Sequence, residues 1–136
     1  MLYRLFSHTG VLEKALDASW LRNEVIAHNI ANVDTPGYKK YRVEFEEELK
    51  SALETRALKG KKTRLKHLDI GASSVDGVKP RIVRVGGTQM REDGNNVDMD
   101  EEMASLAKNA IMYNALVQKI SGEFNKLKTV INEGRK

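Results

Sequence analysis

The last third of the chain constrains the fold most. Met99, Met103, Leu106, Ala110, Tyr113, Val117, Ile120, Phe124, Leu127 and Ile131 follow one another at alternating spacings of four and three residues. Such a row is a heptad seam, the mark of a helix that lies lengthwise against another. Asn96 and Asp98 are good cap residues, Glu101 stands where a capping box needs an acid, and the acids that follow suit the positive end of a helix. Gly134, beside Arg135 and Lys136, supplies a stop. A helix across this stretch is about 50 Å long at a rise of about 1.5 Å per residue, more than a small globular domain needs.

A second, weaker seam runs through the amino-terminal segment as Leu2, Leu5, Thr9, Leu12, Leu16, Ser19, Asn23, Ile26, Ile30 and Val33. Ser19 and Asn23 interrupt its apolar face, and polar residues at such positions set register or oligomer state at a cost in stability. Gly10 unsettles the first turn, so the secure helix begins near Val11. Thr35-Pro36-Gly37 ends it, because proline lacks the amide hydrogen and disfavours helical geometry in the residue before it.

These patterns predict a mainly α fold in which long N- and C-terminal heptad-patterned helices form an antiparallel coiled-coil-like bundle. The N-terminal helix covers residues 1–35, a middle region 36–97 and the C-terminal helix 98–136 of the 136-residue chain, the two helices making one domain. Within the middle region, Val43 to Leu58 reads as a short helix with Phe45, Leu49, Ala52 and Leu53 on one face. Arg56 to Lys66 holds six lysines or arginines and no acid, and with Gly60, Gly71, Ser73, Ser74 and Gly77 it reads as a flexible connection. Ile82, Val83 and Val85, then Gly86-Gly87, then Thr88 and Met90, read as a small β-hairpin. Two helices alone bury little. Pairing within one chain is expected to leave Ala15, Val25, Ile111, Leu116 and Val130 partly uncovered, which favours assembly with further copies or similar chains over an isolated helical hairpin.

Composition removes most other function classes. With 40% hydrophobic and only 6% aromatic residues, the chain lacks the supply from which ligand pockets are usually lined. There is no cysteine, hence no disulfide framework, thiolate nucleophile or cysteine zinc site. His8, His28 and His67 are scattered, and His67 with Asp69 reads as an exposed loop pair. Gly86-Gly87 lacks the spacing of a phosphate-binding loop. An enzyme, a metal site and a cofactor are therefore not expected. The net charge of +4 permits contact with nucleic acid, and the basic run Lys59, Lys61, Lys62, Arg64 and Lys66 is the feature that suggests it. Without interleaved aromatics or a recognition helix, that run reads more readily as a solvated loop. Met1 to Phe6 is not expected to be a secretory signal, and no stretch approaches the length of a membrane span. A generic helical interaction module and, more remotely, a nucleic-acid-binding protein remain as alternatives from periodicity and charge alone.

A more specific pattern lies at the first helix end. Val25-Ile26-Ala27-His28-Asn29-Ile30-Ala31-Asn32-Val33-Asp34-Thr35-Pro36-Gly37-Tyr38-Lys39 resembles the signature of the flagellar axial proteins of rod and hook. Leu16-Asp17-Ala18-Ser19 before it, and Asn95-Asn96-Val97-Asp98-Met99-Asp100-Glu101-Glu102-Met103 opening the last helix, are similar in order to a proximal-rod member of that family. His28 departs from the small polar residue more usual there. A generic helix stop explains Pro36 and Gly37 but not the asparagines: Asn29 and Asn32 suit hydrogen bonds to backbone or to a neighbouring subunit, and the turn aims Tyr38 and Lys39 at an adjacent helix or copy.

The resemblance implies a structural subunit of the proximal rod, exported by the flagellar type III apparatus without a cleaved signal and placed in the basal body across the periplasm. It implies as partners the same protein, other rod proteins and the FliE adaptor at the membrane ring and export gate, with no nucleic acid, cofactor or small-molecule substrate. Its assembly seam would be Leu12, Leu16, Ile26 and Ile30 with Met103, Leu106, Tyr113, Val117, Ile120, Phe124, Leu127 and Ile131. The family's export-gate motif, a phenylalanine followed four residues later by an apolar residue, is matched by Phe45 and Leu49.

Overall fold

The computed structural model describes residues 2–57 and 77–134. Helix α1 spans Leu2–Ala31, strand β1 Tyr41–Glu44, helix α2 Glu46–Ala57, strand β2 Arg81–Arg84 and helix α3 Met99–Glu133. The fold is mainly helical, with two long terminal helices and one small antiparallel sheet, as the periodicities predict. The basic connection expected from Arg56 to Lys66 lies, beyond the end of α2, outside the described residues.

The pairing of α1 and α3 is antiparallel: Asn29 near the end of α1 bonds Glu102 near the start of α3, and Asn23 further back meets Asn109 further on. Asp98 caps α3 as expected, its carboxylate accepting from the amides of Asp100 and Glu101. Glu101 does not close a capping box; its carboxylate reaches Lys40 Nζ at 2.6 Å instead. At the other end Gly134 keeps right-handed helical dihedrals and donates to Val130 O, so it adds a last helical bond rather than a left-handed turn.

The second face of α1 carries the middle region. Ala18 packs with Phe45, Ala52 and Val78, joined by Ala15 and Leu49, in the main apolar cluster. Lys14 Nζ donates to Val78 O, and Arg22 clasps the Glu46 carboxylate with 2.6 and 2.8 Å bonds. Val25 is buried within the chain, contrary to the sequence expectation, while Ala15 and Leu116 are half-buried and Ile111 and Val130 stay exposed.

Two details of the middle region differ from the sequence reading. The short helix starts at Glu46 rather than Val43, because Val43 and Glu44 belong to β1 and Phe45 holds the position before the helix, its carbonyl accepting from Leu49 N. The strand expected at Ile82 and Val83 is present but pairs with β1, in register Tyr41 to Arg84 and Val43 to Ile82. Thr88 to Met90 form no strand, and Met90 N is used by Asn95 O. Gly86-Gly87 is thus not a hairpin turn: a distant strand already in place offers a better ladder than a marginal local hairpin.

Phe45 is only 3% exposed in a small cluster, so truncation cannot be absorbed cheaply. Phe45→Ala is expected to cost about 3–5 kcal/mol, read as a fall in the urea midpoint of the helical signal; an unchanged midpoint would show that the cluster does not hold the middle region to α1.

Candidate functional site

The signature segment is built from its own backbone first. After Ala31 the helix tightens through Asn32 N to Asn29 O and Val33 N to Ile30 O bonds. Thr35-Pro36-Gly37-Tyr38 then forms a turn closed by Tyr38 N to Thr35 O, with Gly37 at φ +71°. A positive φ at the third position after proline at the second is the type II pattern, which favours glycine there. Asn32 supports the turn, donating to His28 O and accepting from the Thr35 hydroxyl.

Three buried asparagines join this turn to the rest of the chain. Asn29 uses its whole amide: Nδ2 donates to Tyr41 O at 2.8 Å and Glu102 Oε2 at 3.1 Å, while Oδ1 accepts from Tyr41 N and the Tyr38 hydroxyl. It therefore pairs with β1 as a neighbouring strand would, and ties that edge to α3. Asn95, 0% exposed, points Nδ2 at the carbonyls of Asn32, Val33 and Thr35, all within 3.0 Å, and accepts from Val97 N. Asn96 accepts from Lys40 N and donates to Val85 O and Thr88 Oγ1. Gly37 N donates to Asp93 O, and Gly94 beside it takes φ +83°, a backbone conformation that favours glycine.

Tyr38 and His28 sit at the rim of this junction. His28 Nδ1 lies 2.9 Å from the Tyr38 hydroxyl, and the Tyr38 and Tyr41 rings meet edge to face. Burial, with Tyr41 and Glu102 nearby, raises the Tyr38 pKa above its ordinary value of 10.0, against a smaller opposing effect of Arg84. Lys39 Nζ donates to the carbonyls of Gly94 and Thr88. All six signature residues, Asn29, Asn32, Thr35, Pro36, Gly37 and Tyr38, thus lie in one junction. In sequence Asn95 and Asn96 read as cap or motif residues; their role as the opposite half of the junction has no local signal, since the partners in the turn and at Lys40 lie 56 to 63 residues away.

The expected seam is split by the fold. In α1, Ile26 is buried and Leu12, Leu16 and Ile30 are half-buried. In α3, Leu106, Tyr113, Ile120 and Leu127 are half-buried, but Met103, Val117, Phe124 and Ile131 are exposed, Phe124 by 54%. The row that packs alternates Leu106, Tyr113, Ile120 and Leu127 with Glu102, Asn109, Leu116 and Glu123, so every second position of the expected seam is set one residue back. Its centre is polar: Asn109 Nδ2 donates to Ser19 O and Asn23 Oδ1, both at 2.7 Å. Asn109 Oδ1 is the buried side-chain acceptor left without a partner among the described residues. Phe45 and Leu49 lie in the apolar cluster below α1, Phe45 fully covered. Among the described residues, no cluster of three or more metal-ligating side chains occurs and no helix is long and apolar enough to cross a membrane.

This geometry is a scaffold of paired terminal helices with a locked turn. The family model described as "Flagella basal body rod protein" matches residues 11–39, from mid α1 through the turn. The chain belongs to the flagellar basal body rod proteins, structural components of the flagellar basal body, and among them to the FlgB family. It is 44% identical to the flagellar basal body rod protein FlgB of Bacillus subtilis strain 168, over 96% of this chain and 98% of that one. The FlgB of Borreliella burgdorferi is 35% identical over 93% of each chain, and that of Escherichia coli K12 31% identical over 98% and 99%.

Three outcomes follow from the junction and the polar layer. Asn95→Ala leaves the Val97 amide unpaired and removes one of the two donors from each of the carbonyls of Asn32, Val33 and Thr35, which keep Thr35 N, the Arg91 guanidinium and Tyr38 N. It should cost about 1–3 kcal/mol, with hydrogen exchange accelerated at Gly37 and Val97, and slow exchange there would remove Asn95 from the lock. Folding favours neutral Tyr38, so its contribution is present below the ordinary tyrosine pKa and lost as pH rises through the raised folded value. Stability should therefore fall above about pH 10, and Tyr38→Phe should flatten that fall in alkaline urea titrations. Replacing Asn23 and Asn109 together by leucine should raise the urea midpoint, as apolar pairs can replace imperfect buried polar ones. The same variant should lose its single helix register, seen as mixed species by sedimentation.

Proposed function

We propose that this chain is a self-assembling subunit of the proximal rod, exported unfolded by the flagellar type III apparatus and assembled across the periplasm. The single observation that supports this most is the apolar row Met99, Met103, Val117, Phe124 and Ile131 on α3, left exposed beside a helix pair that is already formed. A row of large apolar side chains at heptad spacing on a soluble surface calls for another helix. The seam residues of α1 and those of α3 shared with it then serve folding within the chain, and the outer α3 row serves assembly with other copies, with further rod proteins and, at the membrane ring and export gate, with the FliE adaptor.

Export and folding are opposed at Phe45. In the folded chain its ring is covered by Ala18, Ala52 and Val78, so a gate that reads Phe45 and Leu49 must read the unfolded chain. A small apolar cluster and helices that gain partners only on docking keep the monomer easy to unfold, and assembly then adds stability by mass action.

The reading is tested in a flagellated host that lacks its own proximal-rod subunit. The intact chain should restore motility, and Phe45→Ala with Leu49→Ala should abolish its secretion. Val78→Ala, which loosens the same cluster but keeps the motif, should still be secreted; equal loss in both would show that the cluster rather than the motif is read. Phe124→Lys, at an exposed position where folding stability should move by no more than about 0.5 kcal/mol, should be secreted and fail to build rods. Normal motility with that variant would take the outer α3 row out of assembly.

A further inference from the structure

The exposed face of α1 is unlike that of α3. Glu13, Asp17, Trp20 and Glu24 fall on one stripe turned away from both α3 and the apolar cluster. Trp20 is 62% exposed at its centre. None of the ion pairs or hydrogen bonds among the described residues engages Glu13, Asp17 or Glu24, and Glu13 and Asp17, four apart on a helix, repel each other. An exposed tryptophan ringed by unpaired carboxylates has the composition of an interface anchor with a charged rim.

A complementary stripe lies on the same molecule. Lys108, Met112, Ala115 and Lys119 are exposed on a flank of α3 that does not face α1. Their spacing of four, three and four repeats that of Glu13, Asp17, Trp20 and Glu24. Laid antiparallel, Glu24 meets Lys108, Trp20 meets Met112, Asp17 lies over Ala115 and Glu13 meets Lys119. Met112 offers a thioether to the indole, a favourable contact, and Ala115 leaves room beside it. Within the chain Asn23 meets Asn109, one step from the Glu24 and Lys108 match, so the neighbouring copy would stand alongside with almost no axial slide.

We propose that the Trp20 stripe of one copy docks on the Lys108 to Lys119 flank of α3 in the next copy of this chain, a head-to-tail contact. The contact rests on the rod-subunit reading and supplies its lateral join. Because the two surfaces differ, each docked pair keeps one of each free, and the contact propagates into a ring or helical tube rather than closing as a twofold dimer.

Two charge-reversal variants of the full chain test this by sedimentation. One carries Glu13→Lys, Asp17→Lys and Glu24→Lys; the other carries Lys108→Glu and Lys119→Glu. Circular dichroism should show both folded, the positions being exposed. Each alone should associate at least about tenfold more weakly than the unaltered chain, since like charges now face each other. Mixed in equal amounts they should associate again, because the reversed α1 of one matches the reversed α3 of the other. Association of either variant at the unaltered level, a mixture no better than its components, or an unaltered chain that stays monomeric would each overturn the contact. Motility restored by both single variants in the host described above would do so while leaving the rod-subunit reading standing on the outer α3 row.

Discussion

The structure depends on the amide groups of Asn29, Asn95 and Asn96 being buried and used. An asparagine side chain carries one acceptor and two donors on a short arm, so it can stand in for a stretch of backbone. Asn29 does this for β1, Asn95 for the three carbonyls that leave α1, and Asn96 for Lys40 and Val85. With little apolar material in the middle region, these bonds do the joining that a larger core does elsewhere. Their burial also makes them demanding, because each unmade bond in the junction leaves a desolvated group behind.

The junction brings the end of α1 and the start of α3 together and thereby sets the start of the helix pair. Once Asn29 holds Glu102, α3 can run only back along α1, and the Ser19, Asn23 and Asn109 layer checks the register further along. This polar stripe is a poorer glue than the apolar row beside it. It is also more selective, since a polar layer is satisfied in one alignment and an apolar row in many. The division of α3 into a selective inner stripe and an apolar outer row leaves the latter for the assembly proposed above.

Much of this was legible in the sequence, and the parts that were not share a cause. Asp98 as a cap, the stop at Thr35-Pro36-Gly37, the two long helices and the strand at Ile82 and Val83 all rest on local propensity. The partner of that strand, the start of α2 at Glu46 and the burial of Val25 rest on contacts between distant segments. Periodicity finds Leu106, Tyr113, Ile120 and Leu127 on the packed side of α3 but not their neighbours in that stripe, because it counts apolar residues, and the stripe also contains Glu102, Asn109 and Glu123, which pattern alone assigns to the surface. Nothing local marks Asn95 as the partner of a turn some 60 residues earlier.

By itself the sequence determined the two long helices, the cap at Asp98, the signature turn and the membership of the rod family, because these depend on spacing and on residues whose conformational limits are their own. Only the tertiary structure decided which row of α3 faces α1, which strand Ile82 and Val83 join, and that Asn29, Asn95 and Asn96 meet. Those choices turn on satisfying buried polar groups in three dimensions, a condition no linear pattern encodes.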